Sequence, residues 1–174
     1  GSLIDLPAGK LGIAIGGEYR SDNVEGDTDA LSQAGRFFTG GGSTISGKID
    51  VAEVYAEAEV PLLADMTAFQ ELGISGAIRR THYNRSSATA ESSSVNATTW
   101  KVGGTWAPID AIRFRVTRSR DIRAPNVAEL FGPLTNTQGI VTDVGRGGIQ
   151  AVVPITLGSN PDLRPEKADT FTVG

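Results

Sequence analysis

Few residues in this chain have the types and spacing that chemistry needs. His82 is the only histidine and there are no cysteines, so a multi-histidine metal site, a nucleophile-base triad, thiolate catalysis and disulfides are all excluded. Asp27 and Asp29 lie in a polar stretch without a neighbour that would raise a carboxyl pKa, and they read as solvated. Gly145-Arg146-Gly147-Gly148 and Gly40-Gly41-Gly42 lack the following Lys-Ser or Lys-Thr of a phosphate loop and read as loop tips. Asn84-Arg85-Ser86 and Asn96-Ala97-Thr98 match glycosylation sequons, which would carry little weight if the source were bacterial. The expectation is a protein without catalytic residues, cofactor or metal.

Two groups of charged residues remain. Glu53, Glu57 and Glu59 fall on one parity of an alternating segment, and Arg79, Arg113 and Arg115 could face them across a wetted surface. Arg123-Ala124-Pro125-Asn126 is followed by Glu129, Leu130 and Phe131. Asn126 and Glu129 have capping-box spacing, and Gly132 can end the short helical turn they start. Further on, Asn160-Pro161 and Arg164-Pro165 fix φ twice, with Leu163 between them and Glu166 after, which sets up an extended segment. A structural role is the first reading of these motifs. The candidate ligand contacts are Arg123, Asn126, Glu129, Arg113 and Arg115.

The elements that position these residues read as strands. Leu11, Ile13 and Ile15 alternate with Gly12, Ala14 and Gly16; Ala52, Val54, Ala56, Ala58 and Val60 alternate with the glutamates; Leu72, Ile74, Gly76 and Ile78 follow the same rule. Trp100, Val102, Gly104 and Trp106 form the next apolar face, and after Pro108-Ile109-Asp110 come Ile112, Phe114 and Val116. Phe171 and Val173 alternate in a last strand. Between these strands lie long polar connections at 21–48, 81–98 and 121–166, and short ones at 62–70 and 107–111. Long loops therefore fall at one end and tight turns at the other, as in outer-membrane strands with extracellular loops and periplasmic turns. Tyr19, Tyr83, Trp100 and Trp106 are placed where aromatic girdles would lie.

Composition agrees with a β-rich chain. Its 174 residues suit one domain, 39% hydrophobic and 21% charged residues argue against disorder, and 22 glycines suit turns and strands. No segment approaches the ~20 apolar residues of a membrane helix. The formal charge of -4 comes with no basic run. Nothing in the linear sequence therefore recruits nucleic acid or anionic lipid head groups.

The segment from Arg113 through Asp121-Ile122-Arg123-Ala124-Pro125-Asn126-Val127-Ala128-Glu129-Leu130-Phe131 resembles the strand and "R-A-P-N…E-L-F" segment of TonB-dependent outer-membrane receptors. Asn160-Pro161-Asp162-Leu163-Arg164-Pro165-Glu166 resembles the "N-P-x-L-x-P-E" signature of the same family. Weaker echoes occur at Leu6-Pro7-Ala8-Gly9-Lys10, Val54-Tyr55-Ala56-Glu57 and Val60-Pro61-Leu62-Leu63. The resemblance implies an all-β, antiparallel up-and-down meander of about six strands, part of a large transmembrane β-barrel of about 22 strands. It implies that residues 1–174 are a fragment of the barrel domain, with no plug domain and no TonB box.

The implied setting is the bacterial outer membrane. The implied partners are outer-membrane lipid, the plug domain and remaining barrel strands, the TonB complex acting through the absent plug, and a small-molecule nutrient such as a ferric siderophore, vitamin B12 or a carbohydrate. Alone, such a fragment would not transport, and its two open edges would make it aggregate or oligomerise. The alternative is a soluble β-sandwich ligand-binding module, and a hydrolase ranks last for want of a nucleophile and base.

Overall fold

The computed structural model describes residues 2–34, 36, 44–88, 90–133 and 135–174. The Gly40-Gly41-Gly42 tip lies outside them. Among the described residues, seven strands form one antiparallel sheet in the order β1 (Ser2–Leu6), β2 (Gly9–Gly26), β3 (Ile45–Met66), β4 (Phe69–Ser86), β5 (Ser93–Ile109), β6 (Ile112–Arg123) and β9 (Glu166–Val173). A short helix α1 (Ala30–Gln33), capped by Asp29, lies between β2 and β3. Between β6 and β9 come helix α2 (Val127–Phe131) and a separate ribbon of β7 (Thr135–Asp143) and β8 (Ile149–Leu157).

The expectation that about six strands form part of a large transmembrane β-barrel is corrected by this topology: the described residues form an open antiparallel sheet with no barrel closure. Among the described residues β1 pairs only with β2 and β9 only with β6, so the sheet is open, with β1 and β9 as its two edges. Closure needs the edge strands to pair with each other, and here they lie at opposite ends of the strand order. The strand count is also corrected, to seven plus the ribbon. β1 has too few residues for its alternation to show, and the ribbon lies in a stretch read as loop.

The strands are longer than alternation alone suggests. β3 runs for 22 residues, and the tight turns shrink to Thr67–Ala68 and Asp110–Ala111. Hydrogen bonding continues into the long-loop end, where the outward side is polar and only sparse inward apolar residues such as Ile49 and Val51 mark the strand. At the β3–β4 turn Asp65 and Ala68 have φ of 55° and 65°, and Trp106 Nε1 donates to the Ala68 carbonyl at 2.9 Å. Trp106 also stacks on Phe114, with ring centroids 5.5 Å apart.

Register divides the sheet into two faces. One carries Glu53, Tyr55, Glu57 and Glu59 on β3, opposite Thr81, Arg79, Ala77 and Ser75 on β4, and continues through Thr99 and Lys101 on β5. The other carries Ile13, Ile15, Val54, Ile74, Ile78, Trp100, Val102, Phe114, Val116, Phe171 and Val173. Ile15, Val54, Ile78 and Phe171 are among its large apolar side chains exposed to solvent. On β4 this apolar belt runs from Leu72 to Ile78, about 20 Å at the usual rise per residue.

The upper limit of the belt crosses the hydrogen-bond rows obliquely. It lies at Tyr19 on β2, in the row of Ala52 and His82, and at Val116 on β6, in the row of Gly104 and Ile74. Strands tilted relative to the belt produce such an offset. Tyr83 is not part of a girdle: it lies on the polar face and is buried.

The buried core is small and sits at the long-loop end of the polar face. Ile49, Val51, Tyr83 and Ala97 from β3, β4 and β5 are covered by Leu130 and Phe131 of α2. Burying two such side chains contributes on the order of 1.5–3 kcal/mol each. Gly47 permits the helix to approach: a Cβ there would fall 2.5 Å from the Phe131 ring and 2.8 Å from Val127.

Candidate functional site

The two proline-containing motifs, some thirty-five residues apart in sequence, meet at the long-loop end of the sheet. Asn126 caps α2, its Oδ1 accepting from the Glu129 amide at 2.9 Å, while Glu129 Oε2 accepts from the Asn126 amide at 2.9 Å. Arg123, paired in register with Glu166, donates from Nε and Nη2 to that carboxylate at 3.2 and 3.0 Å, and from Nη1 to Glu129 at 3.0 Å. One guanidinium thus joins the end of β6, the first turn of α2 and the start of β9. Its fork geometry suits two carboxylates at once.

The electrostatics follow from that geometry. The Asn126 amide and then the Arg123 guanidinium hold the Glu129 carboxyl below its ordinary value, and Arg123 does the same to Glu166. Arg123 is in turn raised, by its bonds to Glu166 and then Glu129. All three side chains keep access to water, so their attraction is screened.

Backbone and hydroxyl contacts complete the junction. The Asn160 amide donates to the Glu129 carbonyl at 2.9 Å, Ser159 Oγ to the Gly132 carbonyl at 2.6 Å, and the Asp162 amide to Asn160 Oδ1 at 2.9 Å. Arg85, buried near the end of β4, donates to the carbonyls of Leu163 at 2.7 Å and Pro161 at 3.3 Å. Burial holds its guanidinium below the ordinary value. Ala124 packs against the apolar cluster, and Pro165 is half-buried next to Glu166. Sequence reading missed Arg85, because a lone arginine inside a serine-rich stretch carries no spacing signal.

Beside this junction the polar face holds a cavity of about 630 Å³, lined by Arg20, Glu53, Tyr55, Arg79, Lys101 and Arg123 among others. Glu53, one of the lining residues, is buried. It accepts from Arg79 Nη1 and Thr81 Oγ1, both at 3.1 Å, and Arg20 lies 3.9 Å away. The Arg79 guanidinium also sits 5.3 Å from the centroid of the Tyr55 ring. Gly16 faces that ring so closely that a Cβ would be 2.3 Å from the Tyr55 hydroxyl. Such a surface offers several cationic donors, a phenol and a buried carboxylate to a polar, partly anionic solute.

The structure separates the residues that sequence reading grouped together. Arg123, Asn126 and Glu129 are in contact, with their polar atoms spent largely on one another. Arg113 and Arg115 sit at the tight-turn end of β6, eight and more residues from Arg123. Arg113 bridges over Ala107 to Glu71. The Arg115 backbone exchanges two hydrogen bonds with Gly174. Glu53 and Arg79 do pair, whereas Glu57 lines the cavity together with Lys101. The described residues contain no group of three or more His, Cys, Asp or Glu side chains able to hold a metal ion.

A family model described as TonB dependent receptor-like, beta-barrel matches residues 3–174 of the chain. Comparison with curated proteins and with solved structures gave no match.

Proposed function

Since the chain belongs to the TonB dependent receptor-like, beta-barrel family, whose members are transport proteins rather than enzymes, we propose that it serves the uptake of a scarce nutrient across the bacterial outer membrane. In this reading the apolar belt lies against lipid, the polar face borders the path of the solute, and the partners are a plug domain and the TonB complex. Residues 1–174 then act as part of the receptor's β domain, alongside further strands. The observation that carries the reading is the two-faced sheet, in which large apolar side chains point to solvent on one side while charged groups line a cavity on the other. An exposed apolar surface of that extent needs a cover.

The cavity suits a ferric siderophore, a cobalamin or a carbohydrate, with Arg20, Arg79 and Lys101 as contacts, and with Arg123, Asn126 and Glu129 holding its wall in place. Arg113 and Arg115 extend the same polar face toward the tight turns. Trp100 and Trp106 both lie on the apolar face, so brominated lipid provides the test. Their fluorescence should be strongly quenched in brominated phosphatidylcholine vesicles. Unquenched emission, together with a monodisperse β-rich monomer in plain buffer, would overturn the lipid reading.

A second reading, a soluble ligand-binding module, is favoured by the open sheet and by a cavity that forms without any closure. It makes the same cavity the ligand site and predicts solubility without detergent.

A further inference from the structure

The β7–β8 ribbon forms a sheet of its own, apart from the seven strands. A lone two-stranded hairpin is marginal in water, and among the described residues each strand of this one has an unpaired edge. The two edges differ. β8 contains Pro154, which has no N–H and, inside a strand, turns that gap toward the unpaired side. β7 contains no proline, carries no charge from Thr135 to Thr142, and runs against β8 without a bulge. Proline, charge and bulges are what usually guard an exposed edge, and β7 lacks all three over that length. Register sorts the ribbon's side chains into two faces. Thr137, Gly139 and Val141 share one with Ile155, Val153 and Ala151, while Asn136, Gln138, Ile140 and Thr142 share the other with Thr156, Pro154, Val152 and Gln150. Ile155 lies across β7 over the bare Gly139, where an added Cβ would collide with its Cδ1.

We propose that β7 pairs antiparallel with β7 of a second copy of this chain, giving a four-stranded sheet in the order β8-β7-β7-β8 about a two-fold axis at Gly139. The strand's own chemistry selects that occupant. Gly139 is the middle of the nine residues of β7, so an axis there overlaps the whole strand. A two-fold axis perpendicular to the sheet keeps each face on its own side. Thr137 then faces the partner's Val141, Gln138 the partner's Ile140, and Asn136 the partner's Thr142. Amides and hydroxyls both donate and accept, so this edge is complementary to itself. Asp143, its one charged residue, falls opposite the partner's Thr135, and no like charges meet although the chain is acidic. The two Ile155 side chains, each lying across a Gly139, come together over the axis. Pro154 guards both outer strands, and association stops at the dimer.

The pairing depends on the ribbon alone and not on the uptake reading. The full chain is folded in detergent micelles, and its mass is followed by sedimentation, corrected for bound detergent, over a concentration series. The unaltered chain should form a dimer. Gln138→Lys/Ile140→Lys sets two like-charged pairs across the axis and should weaken association by about tenfold. Gln150→Lys/Val152→Lys adds the same charge to β8 and should leave association unchanged. Hydrogen exchange at 126–132 should be the same in both variants, which keeps misfolding apart from lost pairing. The chain has no cysteine, so a mixture of Thr137→Cys and Val141→Cys chains should give a covalent dimer on mild oxidation. Either variant alone, with its thiols offset by about 13 Å along the strands, should not. A monomer at every concentration would overturn the pairing. So would association that the two lysine variants affect equally, which would assign it to the β1 or β9 edge. A mixture that forms no disulfide would overturn the Gly139 axis and the self-limited dimer with it.

Discussion

The approach of α2 to the sheet predicts an inversion of the usual strand preferences at Gly47. A Cβ at this position would lie 2.5 Å from Phe131 Cδ2, 2.8 Å from Val127 Cγ1 and 3.1 Å from Phe131 Cγ, all closer than ordinary van der Waals contact. The helix would have to lift, and overpacking of this kind costs about 1–3 kcal/mol, more as the side chain grows. At Gly76, also within a strand, the nearest heavy atom to an added Cβ is the Lys101 carbonyl oxygen at 3.9 Å. There the added side chain should gain roughly 0.5–1 kcal/mol from reduced chain entropy and β preference.

Alanine, serine and valine at each position therefore give opposite orders. Hydrogen exchange on the folded chain in detergent micelles reads the result directly. Across residues 126–132 the Leu130 amide bonds to Asn126 and the Gly132 amide to Ala128. The Gly47→Ala and Gly47→Val variants should speed exchange in this segment by roughly five- to a hundredfold, with valine the worse, because opening of α2 becomes that much cheaper. The Gly76 variants should leave it unchanged. If Gly47→Val protected α2 as well as the unaltered chain does, the helix would not be seated on this strand and the reasoning would fail.

Other expectations follow from the same junction and from the turn below it. Arg85→Met should leave the carbonyls of Pro161 and Leu163 without their donor, at a cost of about 1–3 kcal/mol, seen as faster exchange at 159–166 with no change at 72–78. The carboxyls of Glu129 and Glu166 are held below their ordinary value of 4.5. Their contribution is therefore complete above that pH and is lost as pH falls through the lower folded values. Protection of 126–132 should fall with acid only below about pH 4.5, and Arg123→Gln should weaken that dependence without removing it, because the Asn126 amide still holds the Glu129 carboxylate. Ala68→Gly, at a residue with φ of 65°, should raise the urea midpoint by relieving about 1 kcal/mol of left-handed strain, with the Trp106 bond to its carbonyl preserved.

What the sequence determined by itself was local. Alternation located the apolar belt on β2 through β6, because side chains on a strand change face at every residue and a half-exposed surface imprints that period on the sequence. The spacing of Asn126 and Glu129 marked the start of α2, since a capping box is closed by neighbours three residues apart. Past the belt the signal fades. The upper parts of β3, β4 and β5 are wet or polar on the outward side, so their strand character depends on partners rather than on pattern.

The tertiary structure decided everything that needs one strand beside another. It decided that the sheet stays open, because closure depends on which edges pair. It decided that Arg123 meets Glu166 across 43 residues and that Arg85 meets Leu163 across 78. Arg113 and Arg115, close to Arg123 in sequence, are carried to the far end of the strand, since each residue along an extended chain adds about 3.3 Å. The same pairing brings Glu53 of β3 against Arg79 and Thr81 of β4, 26 and 28 residues away along the chain. Charge patterning across a sheet is set by register, and register is a property of pairs of strands that no single segment contains.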